Sequence, residues 1–342
     1  MAILWTGAED IDWPILGSGN ISTTGGRFRS GWARCAINQP LMNSSNQTHA
    51  HSTSFNGGAL TSAWLSCQLF GSFTNPWTNM GFIGFCLSGT NNSLGIGIDP
   101  SNQLKYCLFK YDGTTRTNLA SEGGTSFGNN ILTRIDIQVV SYGAAATVNV
   151  YVSGVNIISF TGDVTVSGMT NFDSLIFYGT QSMGVAATPS NTQISEVFVA
   201  DSDTRGQIGM LSLALTGAGT TTGWSNNTYT NINGISFSDA NAAFENTAAV
   251  DQQYTVTIPT PAAYSVTAVS INARLARPST ATPTQVKLGY GNGAAGAFGT
   301  GAAKTPGVGF SWFEQIDAIN PVTGVAFTQA DLAALQLDLE SA

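Results

Sequence analysis

The chain has 342 residues, with 20 acids against 12 lysines and arginines and a formal net charge of −8. This length favours two domains and large cores built without metal or disulfide help, and the acidic balance argues against nucleic-acid binding, which needs a basic footprint. Only 9% of residues are charged, against about 25% in average globular chains, so the polar surface rests on Ser, Thr, Asn, Gln and Gly, which suits strands and turns.

The N-terminus, MAILWTGAEDIDWPILG, lacks a basic n-region and meets acids at Glu9 and Asp10. It does not read as a secretory signal. No run approaches the roughly 18 apolar residues of a membrane span. The expectation is a chain made in a cytoplasm, without membrane insertion, that assembles later. Trp5 and Trp13 flank Glu9, Asp10 and Asp12. They fit two roles, a platform for sugar rings or the anchor of an N-terminal strand. Arg27, Arg29 and Arg34 form the one local basic cluster and read as a solvated strand face.

Short aromatic strands follow, RFRSGWARCAI, SAWLSCQLFGSF and GFIGFCL. Trp64 in the second reads as core, and Trp77 in the next loop as a candidate ligand contact. Between the first two strands lies a long polar loop with the only histidines, His49 and His51. On a strand, positions i and i+2 point the same way, so the pair suits one metal ion. Two nitrogens are too few for tight binding unless symmetry gathers more, and a solvated loop is the plainer reading. No cofactor is expected. Cys35, Cys67, Cys86 and Cys107 lie in apolar runs without zinc-site spacing. Buried free thiols are the plain reading, and disulfides formed after release into an oxidising medium the alternative.

LGIGIDP and LKYCLFKYDG then read as a hairpin ladder, with Asp112-Gly113 predicting a type I′ turn. The clearest stretch is Ile131–Phe160. Ile135, Ile137 and Val139 alternate with Arg134, Asp136 and Gln138, and Val148, Val150 and Val152 alternate with Asn149 and Tyr151. Period-2 alternation predicts an antiparallel meander with one dry and one wet face, turning at Ser153-Gly154. SLIFY (Ser174–Tyr178) and QISEVFVA (Gln193–Ala200) complete the half and run into Asp201, Asp203, Arg205 and Gly206. The spacing Asp201-x-Asp203 offers two hard oxygen ligands to calcium, although acids at strand ends are more often solvated.

The order "TRIDIQVV…TVNVYVSGVNIISFTGDVT…FDSLIFYG…TQISEVFVAD" resembles the concanavalin A-like jelly roll of laminin-G type over residues 1–203. The resemblance implies a two-sheet sandwich and a family whose members bind glycans or proteins, some cleaving glycosidic bonds. Cleavage of that kind requires closely spaced carboxylates, such as Glu-x-Asp-x-x-Glu. None of the six glutamates (Glu9, Glu122, Glu196, Glu245, Glu314, Glu340) sits in that spacing, and Glu196 with Asp201 is the nearest approach. The expectation is a protein that is not an enzyme.

Past Gly206 the strands are MLSLAL, Tyr254–Ile258, Val266–Arg277 and Gln285–Tyr290, with a polar loop around Trp224, another candidate ligand contact. In FTQADLAALQLDLE, Thr328 and Asp331 approximate a capping box, and Leu332, Leu335 and Leu339 share a helical face, which predicts a short C-terminal helix. "ISEVFVADSDTRGQIG…TGWSNN…VTAVSINARLAR…IDAINPVTGVAFTQADLAALQLDLES" resembles virion structural proteins of tailed bacteriophages over roughly residues 190–342. Phe327 stands where such proteins carry Trp.

The expected architecture is all-β: a jelly-roll sandwich over residues 1–203 and a smaller sandwich with a terminal helix over residues 204–342. The resemblance implies a virion part, tail- or fibre-associated, assembled in the host cytoplasm with other virion proteins and copies of itself, and contacting host-surface glycan. A capsid decoration protein and a glycan depolymerase are the rivals.

Overall fold

The computed structural model describes residues 1–7, 37–38, 50–52, 54–72, 80–128, 131–178, 191–205, 214–226, 228–229, 242–243, 247–257, 265–277, 283–292 and 298–342. Among these the fold is all-β with one short helix. The chain divides into two compact units, Met1–Met210 and Leu211–Ala342.

The first unit holds β1 (Ile3–Gly7), β2 (Ile37–Asn38), β3 (Ala50–His51), β4 (Ala63–Ser72), β5 (Gly81–Cys86), β6 (Asn92–Asp99) and β7 (Asn102–Asp112). It continues with β8 (Arg116–Ser121), β9 (Leu132–Ser141), β10 (Ala146–Val152), β11 (Val155–Gly162), β12 (Ser174–Phe177) and β13 (Asn191–Ala200). These form two antiparallel sheets, β1-β13-β4-β9-β10-β11 with β2 added beside β13, and β3-β12-β5-β6-β7-β8. One core lies between them. Leu65, Ile135, Ile137, Val148, Val150 and Val197 from the first sheet meet Phe82, Phe85, Ile96, Leu108, Leu175 and Phe177 from the second. The non-consecutive strand order is that of a two-sheet sandwich closed by long-range pairing.

The meander forms as its alternation predicts, with Val150 opposite Ile137 on β9 and opposite Ile158 on β11. Its turn has φ +49° at Ser153 and +82° at Gly154, the pair of positive values a type I′ turn needs. Asp112-Gly113 behaves otherwise. Only Gly113 has positive φ, and Tyr111 pairs with Arg116 across a longer loop. There the Asp112 carboxylate accepts from the N–H groups of Thr114 and Thr115. Once Asp112 bonds the backbone ahead of it, it caps the turn instead of occupying its centre.

The central strands of the second sheet, β12, β5 and β6, are buried on both faces. The outer face of the sheet carries a second cluster, Cys86, Phe109, Tyr111, Ile176 and Tyr178. The Tyr178 ring lies on the cross-strand pair Gly84 and Gly95 and donates to Ser93 Oγ at 2.6 Å. A Cβ at Gly95 would sit 2.7 Å from the tyrosine hydroxyl, so the close approach requires glycine there. Cys67, Cys86 and Cys107 are buried free thiols. Cys35 lies outside the described residues.

The second unit holds β14 (Ala214–Thr222), β15 (Asp251–Thr257), β16 (Val269–Leu275), β17 (Val286–Gly291), β18 (Phe298–Thr300), β19 (Ser311–Asp317), α1 (Gln329–Ala333) and β20 (Gln336–Ser341). A five-stranded sheet, β14-β15-β20-β17-β18, and the hairpin-like pair β16-β19 enclose Trp224, Tyr254, Ile271, Leu288, Tyr290 and Phe327. The capping box is present: Thr328 Oγ1 accepts from Asp331 N–H, and the Asp331 carboxylate accepts from Thr328 N–H. The helix nevertheless stops at Ala333, and the tail expected to continue it is the central strand of the sheet. LAALQLDLE satisfies both periods. Leu332, Leu335 and Leu339 suit a helix, while Leu335, Leu337 and Leu339 suit a strand, and pairing on both sides with β15 and β17 selects the strand.

Candidate functional site

The outer face of the seven-stranded sheet brings the sequence-predicted wet residues of β9 and β10 together in rows with residues of β4, among them Trp64, which is buried as the sequence suggests. Trp64 on β4 lies opposite Gln138 on β9, which lies opposite Asn149 on β10. One row along, Ser66 lies opposite Asp136, which lies opposite Tyr151. Asp136 is fully buried, so this face is not wet at its centre. Residues 201–205, leaving β13, roof it. Thr204 Oγ1 donates to Asp136 Oδ1 at 2.9 Å. The Arg134 guanidinium donates to Thr204 O at 3.0 Å and Ser66 Oγ at 2.6 Å, and it stands 3.5 Å from Asp136. A buried carboxylate is tolerable here because a cation and a hydroxyl reach it together.

Beside this knot the Trp64 and Tyr151 rings stack at 5.6 Å, and the Arg205 guanidinium lies over both, 4.6 Å from the Tyr151 centroid. Arg205 also forks onto Asp203. That hydrogen-bonded pairing holds the Asp203 carboxyl below its usual range and raises Arg205. The pair cancels its own charge at the surface. Next to it Gln138 Oε1 accepts from Asn149 Nδ2 at 2.9 Å and from Tyr151 O–H at 3.4 Å. This leaves the Gln138 amide N–H₂ and the Asn149 carbonyl, both half-buried, as one donor and one acceptor side by side. Such a pair can meet a vicinal diol, with one hydroxyl accepting and the other donating.

The residues singled out from sequence lie elsewhere. Trp5 is 0% exposed in the first core, and Trp224 is buried in the second with its indole N–H donating to Val250 O at 2.9 Å. Neither ring has a face open to a ligand: Trp224 is a correction to the expected platform, while Trp5 takes the other of its two expected roles, on β1 where that strand pairs with β13. Trp13, Trp77 and His49 lie outside the described residues. His51 is buried on β3, with Nε2 3.1 Å from Asn91 Oδ1 and Nδ1 3.7 Å from Cys86 Sγ. Burial lowers the pKa of this histidine and raises that of Cys86 well above the usual thiol range, so the contact joins two neutral groups. The Asp201 carboxylate accepts from Ala2 N–H at 2.7 Å and from the Ser202 hydroxyl, fastening β1 to the end of β13. Asp201, Asp203 and His51 thus serve three separate contacts, and among the described residues no group of three or more ligating side chains is placed to hold a metal ion. Glu196, named with Asp201 as the nearest approach to a carboxylate pair, is buried at a β-bulge of β13 with φ +48°.

Sequence reasoning placed Gln138, Asn149 and Tyr151 on the wet face but did not single them out. The cue was a row of amides on alternating positions of adjacent strands. Nothing local signalled Arg205, which reaches the row only after the chain turns back at Asp201.

Among the described residues no helix is long and apolar enough to cross a membrane. No family model and no curated protein sequence matches the chain. Among solved structures it is similar to alginate lyase Aly36B, at 10% identity and TM-score 0.37 over 62% of this chain and 100% of that one. It is also similar to carbohydrate-binding module CBM66 from Bacillus subtilis, at 12% identity and TM-score 0.32 over 50% of this chain and 96% of that one. The endo-β-1,4-glucuronan lyase from Trichoderma reesei matches at 11% identity and TM-score 0.36 over 58% and 90% respectively. At these identities and scores nothing of those proteins' chemistry transfers to this chain.

Proposed function

We propose that the chain is a structural protein of a tailed-phage virion that, without cutting it, contacts neutral host glycan through the outer face of its seven-stranded sheet. The observation that carries the glycan reading is the Gln138–Asn149 pair, a donor and an acceptor left over beside the Tyr151–Trp64–Arg205 stack. The face is charge-balanced, which suits an uncharged polyhydroxylated ligand. Its rings lie under Arg205, so recognition runs through amides and the guanidinium plane instead of direct stacking on tryptophan. The non-catalytic part is supported by the acids nearest the face. Asp136 is tied to Arg134 and Thr204, and Asp203 to Arg205. The virion context, with other virion proteins and further copies of the chain as partners, rests on the resemblance of residues 190–342.

The test has two arms. On a glycan array, the purified chain is expected to bind neutral surface polysaccharide. Asn149→Ala or Gln138→Ala should each weaken binding by about 2- to 12-fold, the equivalent of one hydrogen bond at about 0.5–1.5 kcal/mol. Unchanged binding in the double variant sinks the face, and release of oligosaccharide sinks the non-catalytic reading. Immunogold labelling of virions is expected on the tail or its fibres. Label over the capsid would make decoration the answer.

A further inference from the structure

Among the described residues, the polar face of the five-stranded sheet in the second unit is short of cations. Along the central strand β20, Gln336, Asp338 and Glu340 share this face. Asp251 on β15 lies directly opposite Glu340, and Gln253 opposite Asp338. On the other side β17 places Lys287 opposite Glu340 and Gly289 opposite Asp338. Lys287 Nζ is 2.7 Å from Glu340 and is committed to it. Among the described residues the remaining neighbours are neutral. Thr220 of β14 donates to Gln253 Oε1 at 2.7 Å, and β18 contributes only Phe298, Gly299 and Thr300. Among the described residues the face therefore gathers three carboxylates and one ammonium.

Asp338 is the acid in the worst position. It is fully buried. Its Oδ1 accepts from Gln253 Nε2 at 3.2 Å, while among the described residues Oδ2 has no hydrogen-bond partner. A buried carboxylate with a bare oxygen and two acids as nearest charges is expensive when ionised. A proton on that oxygen removes the charge without moving an atom of the sheet.

We propose that Asp338 is a proton-operated latch of the second unit, holding β20 between β15 and β17 as the neutral acid and loosening it as the carboxylate. Burial pushes its pKa up to about 6; the Gln253 hydrogen bond opposes the rise, and Asp251 and Glu340 add to it. Asp251 is raised as well, first by burial and then by Glu340. From the ordinary 3.8 to about 6 the folded unit binds more protons than the unfolded chain. Stability from this group is therefore complete below about pH 4 and is lost as pH rises through about 6.

The test is hydrogen exchange on the full chain at pH 5 and pH 7.5, corrected for intrinsic exchange rates. Opening of the β15, β20 and β17 amides is expected to rise about 10-fold at the higher pH, the part of a shift of about two pKa units that falls above pH 5. In Asp338→Asn, a neutral isostere, the rise should vanish and protection at both pH values should be at least that of the wild type at pH 5. A wild-type opening constant independent of pH, or an unchanged rise in D338N, overturns the latch. The carboxyl carbon of Asp338 in the wild type gives a reading that does not depend on the variant folding. A titration midpoint near 6 supports the proposal, and one at or below about 4 ends it.

Discussion

Arg134→Met is expected to lower the stability of the first unit by about 3–5 kcal/mol, the range for removing one partner of a buried ion pair. The reason lies in what stays behind. Asp136 is fully buried, and without the guanidinium its remaining donor is Thr204 Oγ1 at 2.9 Å. Arg134 also holds Ser66 Oγ and the carbonyl of Thr204, so the roof of residues 201–205 loses its main fastening to the sheet. Methionine keeps much of the apolar stem and the β9 register, which confines the loss to the charge and its hydrogen bonds. Urea denaturation followed by tryptophan fluorescence should show a lower midpoint with an unchanged slope. Adding Asp136→Leu to Arg134→Met should recover most of the loss, since replacing a whole buried pair by apolar groups is near neutral. A loss below about 1 kcal/mol in the single variant would show that water reaches Asp136.

The same knot shows where reading the sequence stops. Alternation over Ile131–Phe160 was enough to place Gln138, Asn149 and Tyr151 on one face and Ile135, Ile137 and Val139 on the other, because a strand's period is local. It assigned Asp136 to solvent for the same local reason. The group that covers it comes from Thr204, 68 residues further on, and no window of sequence holds both. Tryptophan misled in a second way. Trp5 and Trp224 have the chemistry of a sugar platform and equally that of a core, and only the packing decides. SLIFY and GFIGFC carry a local cue of their own. Unbroken apolar runs mark strands buried on both faces, which is how Ile176, Tyr178 and Cys86 sit outside the main core. The terminal LAALQLDLE was undecidable at its own scale, and its two neighbours in the sheet settled it.

The two units also differ in how their acids are held. In the first, hydrogen bonds depress the carboxyl groups: Asp163 falls to about 2 beside the Thr165 hydroxyl, and Asp112, Asp201 and Asp203 are likewise lowered. Groups with depressed pKa values lose their contribution only as pH falls below about 4. In the second unit Asp338 and Asp251 are raised. Between pH 4 and 7 the acids of the first unit should therefore add little pH dependence, His51, lowered by burial, should cost that unit stability as pH falls below about 6.5, and the second unit should weaken as pH rises.

That separation makes a core substitution informative about each unit by itself. Phe85→Ala is expected to cost the first unit about 3–5 kcal/mol, the range for deleting a buried phenylalanine ring. Phe85 is 0% exposed, its ring centroid lies 4.4 Å from that of Phe172, and it meets Phe55 edge-on at 6.5 Å. Phe55 follows β3 and Phe172 precedes β12; Phe55 N–H donates to Asp173 O, and Phe172 is itself fixed by paired backbone bonds with Leu60. The neighbours are thus poorly free to collapse into the space, and a site that cannot relax keeps its cavity. Calorimetry of the full chain should show the first unit's transition moving down by many degrees while the second unit's stays. Val155→Ala, at a side chain 66% exposed in the β10–β11 turn, is the control and should change stability by less than about 0.5 kcal/mol. If the Phe85 variant lost no more than that control, the aromatic cluster would be filling space without bearing on the fold. If both transitions moved together, the two units would be one cooperative body and the opposite pH responses of their acids would merge into a single curve.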